Sequence, residues 1–422
     1  MKTKIVIILS LTLVIHAYSG SATWSLNPTS NDWNTAANWT PPTVPNATTD
    51  TATFGASNTT SVSSSAGIDL AGLVFTPGAP SYTIDMDLAF WGDGVRNDSG
   101  VEQTFTGGFS FYGNSSAGDN VSYDGSVYFL DNGSAGNSTL IAENGPGGDS
   151  GGVIWFQGIA SGGTARVVLL GPTGPGTLEL NGSFNGDVTV GSIEGSGLVT
   201  FGLFFRKTLT IGSNNLSTTF SGLIQDGTSV GAIAKIGTGT LTLSGANTYS
   251  GGTTITSGIL LVSNVSGSGT GTRDVKVNAG TLGGSGIIAG GVTVGTNTGV
   301  QAFLAPSKGV KKPATLTIQG AVTLNDDSTY IYKLNTERAR ADEVIANGVT
   351  IDSGAKFSFR PTGTSTLTIG QVFTVINNTA GSPIVGTFHN LADGAIISIN
   401  GNNLQADYQG GDGNDLTLTV VP

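Results

Sequence analysis

Cysteine is missing from all 422 residues. Its absence excludes disulfides, thiolate catalysis, cysteine-based zinc sites and a lipoprotein-type lipid anchor. Histidine is nearly missing too, with His16 and His389 alone. Charge is scarce: Asp, Glu, Lys and Arg make up 11%, against about 25% in ordinary soluble domains. From Ile236 to Thr272 there is no charged side chain at all. The balance that remains is acidic, −11, and no basic run exceeds KGVKK at Lys308 to Lys312. A phosphate backbone would be repelled, so nucleic acid is excluded as a partner. Helical periodicity is confined to NTERARADEVIANG around Thr336 to Ala346, which reads as a charged loop or a single helical turn. No apolar run is long enough for a standard membrane span. The longest, Ile5 to Ile15, follows Lys2 and Lys4 and precedes small residues near Ser19 and Ala22. That order is a secretory leader, residues 1–22, and predicts export of a chain that keeps His389 as its histidine.

Glycine is abundant instead, with 66 residues. Between the glycines lie short β-branched and aromatic runs such as TATFGAS, GSVYFL, TARVVLLG and NDLTLTVV, each a strand signal. The runs also repeat. FYGNSSAGDN from Phe111 aligns with FLDNGSAGNS from Phe129 and FQGIASGGTA from Phe156, at spacings of 18 and 27 residues. Such spacings fit successive turns of a solenoid with one variable loop.

One physical cause accounts for both the missing charge and the excess glycine. In a parallel β-solenoid each strand lies about 4.8 Å above its equivalent, so matching side chains stack. Two like charges at that separation repel by about 0.9 kcal/mol even at the dielectric of water. Outward positions therefore favour Thr, Ser and Asn, expected to form hydrogen-bonded ladders. In GTGTLTLSGANTYSGGTTITSGILLV, simple alternation points Leu241, Leu243, Ile255, Ile259 and Leu261 inward. Gly245, Gly251, Gly252 and Gly258 read as corners with φ > 0, with Asn247 as the tolerated alternative. An antiparallel sandwich or barrel also explains short strands and glycine turns, but explains the charge-free stretch less well, because antiparallel neighbours commonly use opposite charges.

The stretch KIGTGTLTLSGANTYSGGTTITSGILLV, from Lys235 to Val262, resembles the autotransporter-associated β-strand repeat of secreted bacterial passengers. AGTLGGSGIIAGGVTV from Ala279, ATLTIQGAVTLNDDSTYIYKL, QVFTVI and YQGGDGNDLTLTV resemble the C-terminal part of such passengers. WNTAANWTPPTVPNATTDTATFG from Trp33 resembles their opening segment. The resemblance implies an all-β, right-handed parallel β-helix of the pectin-lyase-like kind, displayed at or released from a cell surface. It transfers no catalytic residue. The expected organisation is a leader over 1–22, a Trp-rich cap over 23–60, a solenoid with degenerate repeats over 61–219, the repeat region over 220–300 and a passenger-like C-terminal region over 301–422. Some 16 to 20 coils would make a rod of about 75 to 95 Å, capped by the N-terminal tryptophans and by the region after Asn325. The sequence stops at NDLTLTVVP without the lipid-facing alternation of a translocator barrel, so crossing an outer membrane is expected to need another route. LAPSKG at Leu304 has Ser where the family tends to have Gly.

Candidate chemistry is thin. His389 and Asp393 sit in GTFHNLADG, but no serine lies in a nucleophile elbow. Asp85 and Asp87, two apart beside Phe90 and Trp91, form an acid pair suited to sugar cleavage on an aromatic platform, but cations to neutralise a uronate substrate are scarce, with only Arg96 nearby. The plainer reading is a polar strand face. GGDGNDLTL, Gly410 to Leu418, imitates a calcium nonapeptide through Asp412, Asn414 and Asp415, but its apolar residue falls one position early at Leu416, which favours a tight turn. Trp33, Trp39, Trp91 and Trp155 are stacking surfaces for glycans or, as is commoner, tryptophans buried under a cap. The reading is therefore an exported, non-enzymatic structural or adhesion protein with Thr/Ser/Asn faces. It has no catalytic, metal or cofactor residues, and surface glycans or extracellular proteins are its partners. A polysaccharide lyase or glycoside hydrolase centred on Asp85 and Asp87 is the alternative.

Overall fold

The computed structural model describes residues 20–143, 151–171, 174–181, 187–202, 206–308 and 312–422. The expected leader lies outside these up to residue 19, as do positions 309–311 of KGVKK. Among the described residues there are 38 strands and one short 3-10 turn at Ala36–Asn38. The strands wind into a parallel β-helix with three faces.

The first face stacks fourteen levels. They are Ser61–Ser63, Thr83–Asp85, residues 104–106, 121–124, 139–142, 166–169 and 192–195, then Thr218–Phe220, Thr240–Leu243, Ile259–Val262, Gly280–Gly284, Ala302–Ala305, Ser328–Asn335 and Lys356–Thr362. The second face carries residues 68–70, 88–90, 109–111 and 127–129, then Val153–Phe156, Thr177–Leu180, Leu198–Phe201 and Leu223–Asp226. The third begins two levels earlier, with Ala22–Trp24 on residues 51–54, and runs to Val349–Ile351. At about 4.8 Å per level the rod is roughly 62 to 72 Å long. It is shorter than its length in residues implied, because the Trp-rich segment between Trp24 and Ala47 and the antiparallel meander from Val372 onward add residues without adding full levels.

The core is a set of vertical columns. Phe90, Phe111, Phe129 and Phe156 stack with centroids 5.0, 5.1 and 4.9 Å apart and near-parallel rings. Phe111, Phe129 and Phe156 are the aligned phenylalanines of the repeat, Phe90 extends their column by one level, and the repeat's serines Ser116, Ser134 and Ser161 bridge on the third face. Leu241, Leu260, Leu282 and Leu304 make another column. This corrects the simple alternation: Leu260 and Val262 face inward, whereas Ile259 and Leu261 are only partly buried. A four-residue apolar run fits either parity, and the glycine turn before it resets the count. Gly237, Gly258 and Gly280 form a corner column with φ of 67, 70 and 83°. A Cβ on Gly258 would stand 2.3 Å from the carbonyl oxygen of Gly237, so only glycine fits both the angle and the spacing. Gly245 and Gly251 differ from the expected corners, since neither has a left-handed backbone. Close stacking requires them instead, because a Cβ on Gly245 would overlap the carbonyl oxygen of Gly222 one level away.

Asn247 is no left-handed corner. It is buried, its Oδ1 accepts from the Ile224 N–H at 2.8 Å, and its Nδ2 donates to Gly269 O at 2.7 Å. The side chain thus joins three levels where the second face lacks strand pairing. That face then resumes as Ile287–Ile288, Thr315–Ile318, Glu343–Ala346 and Val372–Asn378. Tyr249, from the same Asn-Thr-Tyr element, is buried with its hydroxyl 2.6 Å from Thr253 Oγ1.

Outward columns avoid ionised neighbours. One reads Thr189, Thr210, Ala234, Thr254, Lys276, Thr293, Thr323, Thr350. Another reads Ser63, Asp85, Thr106, Asp124, with a threonine between the acids. Among the described parallel registers one like-charged pair is directly opposed, Lys333 over Arg360. The expected hydroxyl ladder is absent along the Thr189 to Thr350 column, where no hydroxyl bonds the next, although Thr164 donates to Asn137 Oδ1 of a neighbouring level at 3.2 Å. A side-chain ladder does occur at Asn132 and Asn114, 3.0 Å apart.

Among the described residues antiparallel strand pairing is confined to the two ends and to the hairpin of Ser328–Asn335 with Arg340–Ala341. At the N-terminus Trp24, Trp33 and Trp39 are buried against Phe54, with Trp33 and Trp39 edge to face at 4.7 Å. Each indole N–H is held, by Thr59 O, Pro45 O and Trp33 O respectively. At the other end Val372–Asn378, Asp415–Val421, Asn402–Gly410 and Ile396–Ile399 form an antiparallel meander. Regular levels therefore continue well beyond Asn325. The charged stretch around Thr336 to Ala346 is a turn followed by strands Arg340–Ala341 and Glu343–Ala346, with no helix.

Candidate functional site

The second face carries an outward aromatic row on its N-terminal half. Asp69, Ala89, Ser110, Tyr128, Trp155 and Glu179 lie in register, one above the next. Small side chains in the middle of that column leave a cleft of about 520 Å³, lined by Gly67, Asp69, Asp87, Ser110, Ser126 and Tyr128. Beside it Trp91 is 49% exposed. Its ring stacks flat on Tyr112, 4.0 Å away with 6° between planes, and its Nε1 donates to Asp69 Oδ1 at 3.0 Å. Tyr128 and Trp155 stand in the column on the other side of the phenylalanines, with centroids 5.9 Å apart. The Trp155 Nε1 is buried without a partner. Trp91 and Trp155 therefore project from a lateral face, unlike Trp33 and Trp39, which close the end of the core. Strand register explains the row: an aromatic residue next to an inward phenylalanine must point outward.

Asp85 and Asp87 do not converge as an acid pair. Asp85 ends the strand Thr83–Asp85, and its Oδ1 accepts from Thr106 Oγ1 at 2.9 Å. Asp87 lies past the bend at Met86, and its Oδ1 accepts from the Gly108 N–H at 2.7 Å. Each carboxylate is thus tied to the next level. Arg96 pairs with Asp98 at 2.6 Å rather than with either of them. His389 is exposed, and Asp393 accepts from the Tyr408 N–H at 3.1 Å. GGDGND is the turn of the final antiparallel hairpin, with Gly410 opposite Asp415. Asp415 is buried, accepts from the Asn378 N–H at 2.8 Å and has its carboxyl pushed up by burial. The sequence signals for catalysis and calcium thus fall on side chains that join levels or close turns. What sequence reading missed is the stacking of Trp91 on Tyr112 and the pairing of Tyr128 with Trp155, on either side of the phenylalanine column. The Phe111, Phe129 and Phe156 repeat was the available signal for it.

A parallel β-helix with a threonine-dressed exterior is the class of protein that this fold defines. Within it, residues 233–262 match the Passenger-associated-transport-repeat family, the same stretch that holds the Gly237 and Gly258 corners and the Asn247 bridge. Over 94 residues, 21% of the chain, the sequence is 39% identical to the Adhesin BmaC autotransporter of Brucella suis biovar 1 (strain 1330). The aligned part spans about 3% of that relative's length.

Proposed function

We propose that this chain is an exported, non-enzymatic β-helical adhesion protein whose second face grips neutral glycan chains through the Trp91–Tyr112 stack and the adjoining cleft. One observation carries the reading: a half-exposed tryptophan is held rigidly by a ring below it and a carboxylate at its N–H, beside a groove of small and hydroxyl side chains. Flat aromatic faces bury the apolar face of a sugar ring, while neighbouring carboxylates and hydroxyls bond its hydroxyl groups. The adhesin name of the matched relative and the leader-like N-terminus support export to a surface. Cleavage after Ser19 or after Ala22 would leave Gly20 or Thr23 as the first residue of the secreted chain, which mass spectrometry of that chain checks.

The test uses purified protein on surfaces coated with neutral polysaccharides. Trp91→Ala is expected to weaken retention by about fivefold to tenfold with little change in melting. Undiminished retention in that variant sinks the groove. The same preparations are assayed for chain cleavage beside Asp85→Asn: cleavage that disappears in the variant replaces adhesion with catalysis.

A further inference from the structure

No basic patch is visible along the sequence, yet the third face gathers three cations in one cleft. Lys207–Ile211, Gly231–Lys235, Thr253–Ile255 and Val275–Val277 are consecutive levels there. The turns leading into them place Arg206, Val230, Gly251, Gly252, Arg273 and Lys276 around a cleft of about 360 Å³. Arg206 reaches in from one end, its Nη2 donating to Gly251 O at 2.6 Å. The backbone of Arg206 lies three levels before Arg273 and Lys276, but its guanidinium at Gly251 is about one level, roughly 5 Å along the axis, from their strand. The floor is the Ser-Gly-Gly-Thr-Thr of the repeat, Ser250 to Thr254. A Cβ on Gly251 would meet Gly231 O at 2.3 Å, and one on Gly252, whose φ is +88°, would lie 3.6 Å from the Arg273 side chain. Glycine keeps this floor open. Asp274 also lines the cleft, and its Oδ1 accepts from the Gly291 N–H of the next level at 2.9 Å.

We infer that this cleft binds an anionic polysaccharide, seating one of its carboxylate or sulfate groups over the Gly251–Gly252 floor. Arg206, Arg273 and Lys276 outnumber Asp274 around one glycine floor, which leaves a net positive seat for one acidic group of the polysaccharide. The chain's −11 charge opposes any broad anionic surface, such as a membrane or a duplex, but not a single strand lying in the groove. The inference rests on the adhesion reading only for glycans as the kind of ligand, and adds a separate anion-binding site on another face.

The experiment is calorimetric titration of the purified protein with heparin hexasaccharide and oligogalacturonate, beside neutral maltohexaose, at low salt. Binding of the anionic probes at least tenfold tighter than the neutral one, weakening as salt rises, is expected. Lys276→Thr restores the residue found above and below it in its column, so folding is retained. That variant and Arg273→Gln should each lower affinity by roughly fivefold, while Arg96→Gln on another level changes nothing. Equal affinity of wild type, Lys276→Thr and Arg273→Gln overturns the inference. A duplex DNA oligomer bound with the same dependence on these residues overturns it in favour of an indiscriminate polyanion site. Trp91→Ala leaves this titration untouched, so loss of the adhesion reading and loss of the cleft are read by different variants.

Discussion

At the residue scale, the sharpest contradiction between charge and place is Lys235. It belongs to the column Ile211, Lys235, Ile255 and is buried. Its ammonium reaches the carbonyl oxygens of Ile236 and Gly237, the latter at 3.2 Å, and burial lowers its pKa to about 8. In the unfolded chain the same amine titrates near the ordinary value of about 10.4. Between those two values the unfolded state holds more protons, so this group makes stability climb as pH rises from about 8 towards 10.4. Below pH 8 both states are protonated and burial of the charge opposes folding in full. Buried tyrosines such as Tyr123 and Tyr249, whose pKa values burial raises, pull the other way at high pH. The quantity to measure is therefore the difference in urea midpoint between wild type and Lys235→Met. It is expected to move in favour of wild type across that window, and parallel pH courses for the two proteins would contradict the assignment.

At the element scale, the phenylalanine column shows what a repeat contributes to a solenoid. Phe129 is fully buried, with a ring on each side at 5.1 and 4.9 Å. Phe129→Ala is expected to cost about 3 to 5 kcal/mol, read from denaturant unfolding. A loss below about 1 kcal/mol would mean that the column closes up on deletion. This column was legible in advance because its spacing of 18 and 27 residues appears in the sequence itself, and so were the parallel stacking and the corners at Gly252 and Gly258. Inward parity at Ile259 to Val262 was not, since all four residues are apolar and the turn that sets their phase leaves no compositional mark. Asn247 was read as a corner because asparagine tolerates left-handed backbone. Its real role, bonding levels 23 and 22 residues away through Ile224 and Gly269, exists only once the levels are stacked. The same limit hid both clefts. Tyr128 and Trp155 become neighbours across 27 residues, and Arg206 and Arg273 across 67, by vertical register alone.

At the scale of the whole molecule, composition is a consequence of repetition. Every outward position sits about 4.8 Å from two equivalents, so a charge is tolerated when its vertical neighbours are neutral. Lys276 obeys this rule, with Thr254 and Thr293 on either side. Thr293→Lys would place a second ammonium directly against it, at a cost near about 0.9 kcal/mol in water and more at a drier surface. Thr323→Lys, one level further on, has Thr293 and Thr350 as neighbours. Its separation from Lys276 is about 9.6 Å, close to the screening length of about 10 Å at 0.1 M salt. The two substitutions introduce the same side chain into the same column, so propensity and side-chain entropy cancel between them. Thr293→Lys should therefore melt below Thr323→Lys at low salt, and the gap should close as salt is raised. Indistinguishable melting of the two at low salt would detach the scarcity of charge in this chain from vertical stacking, and with it the physical link between composition and fold.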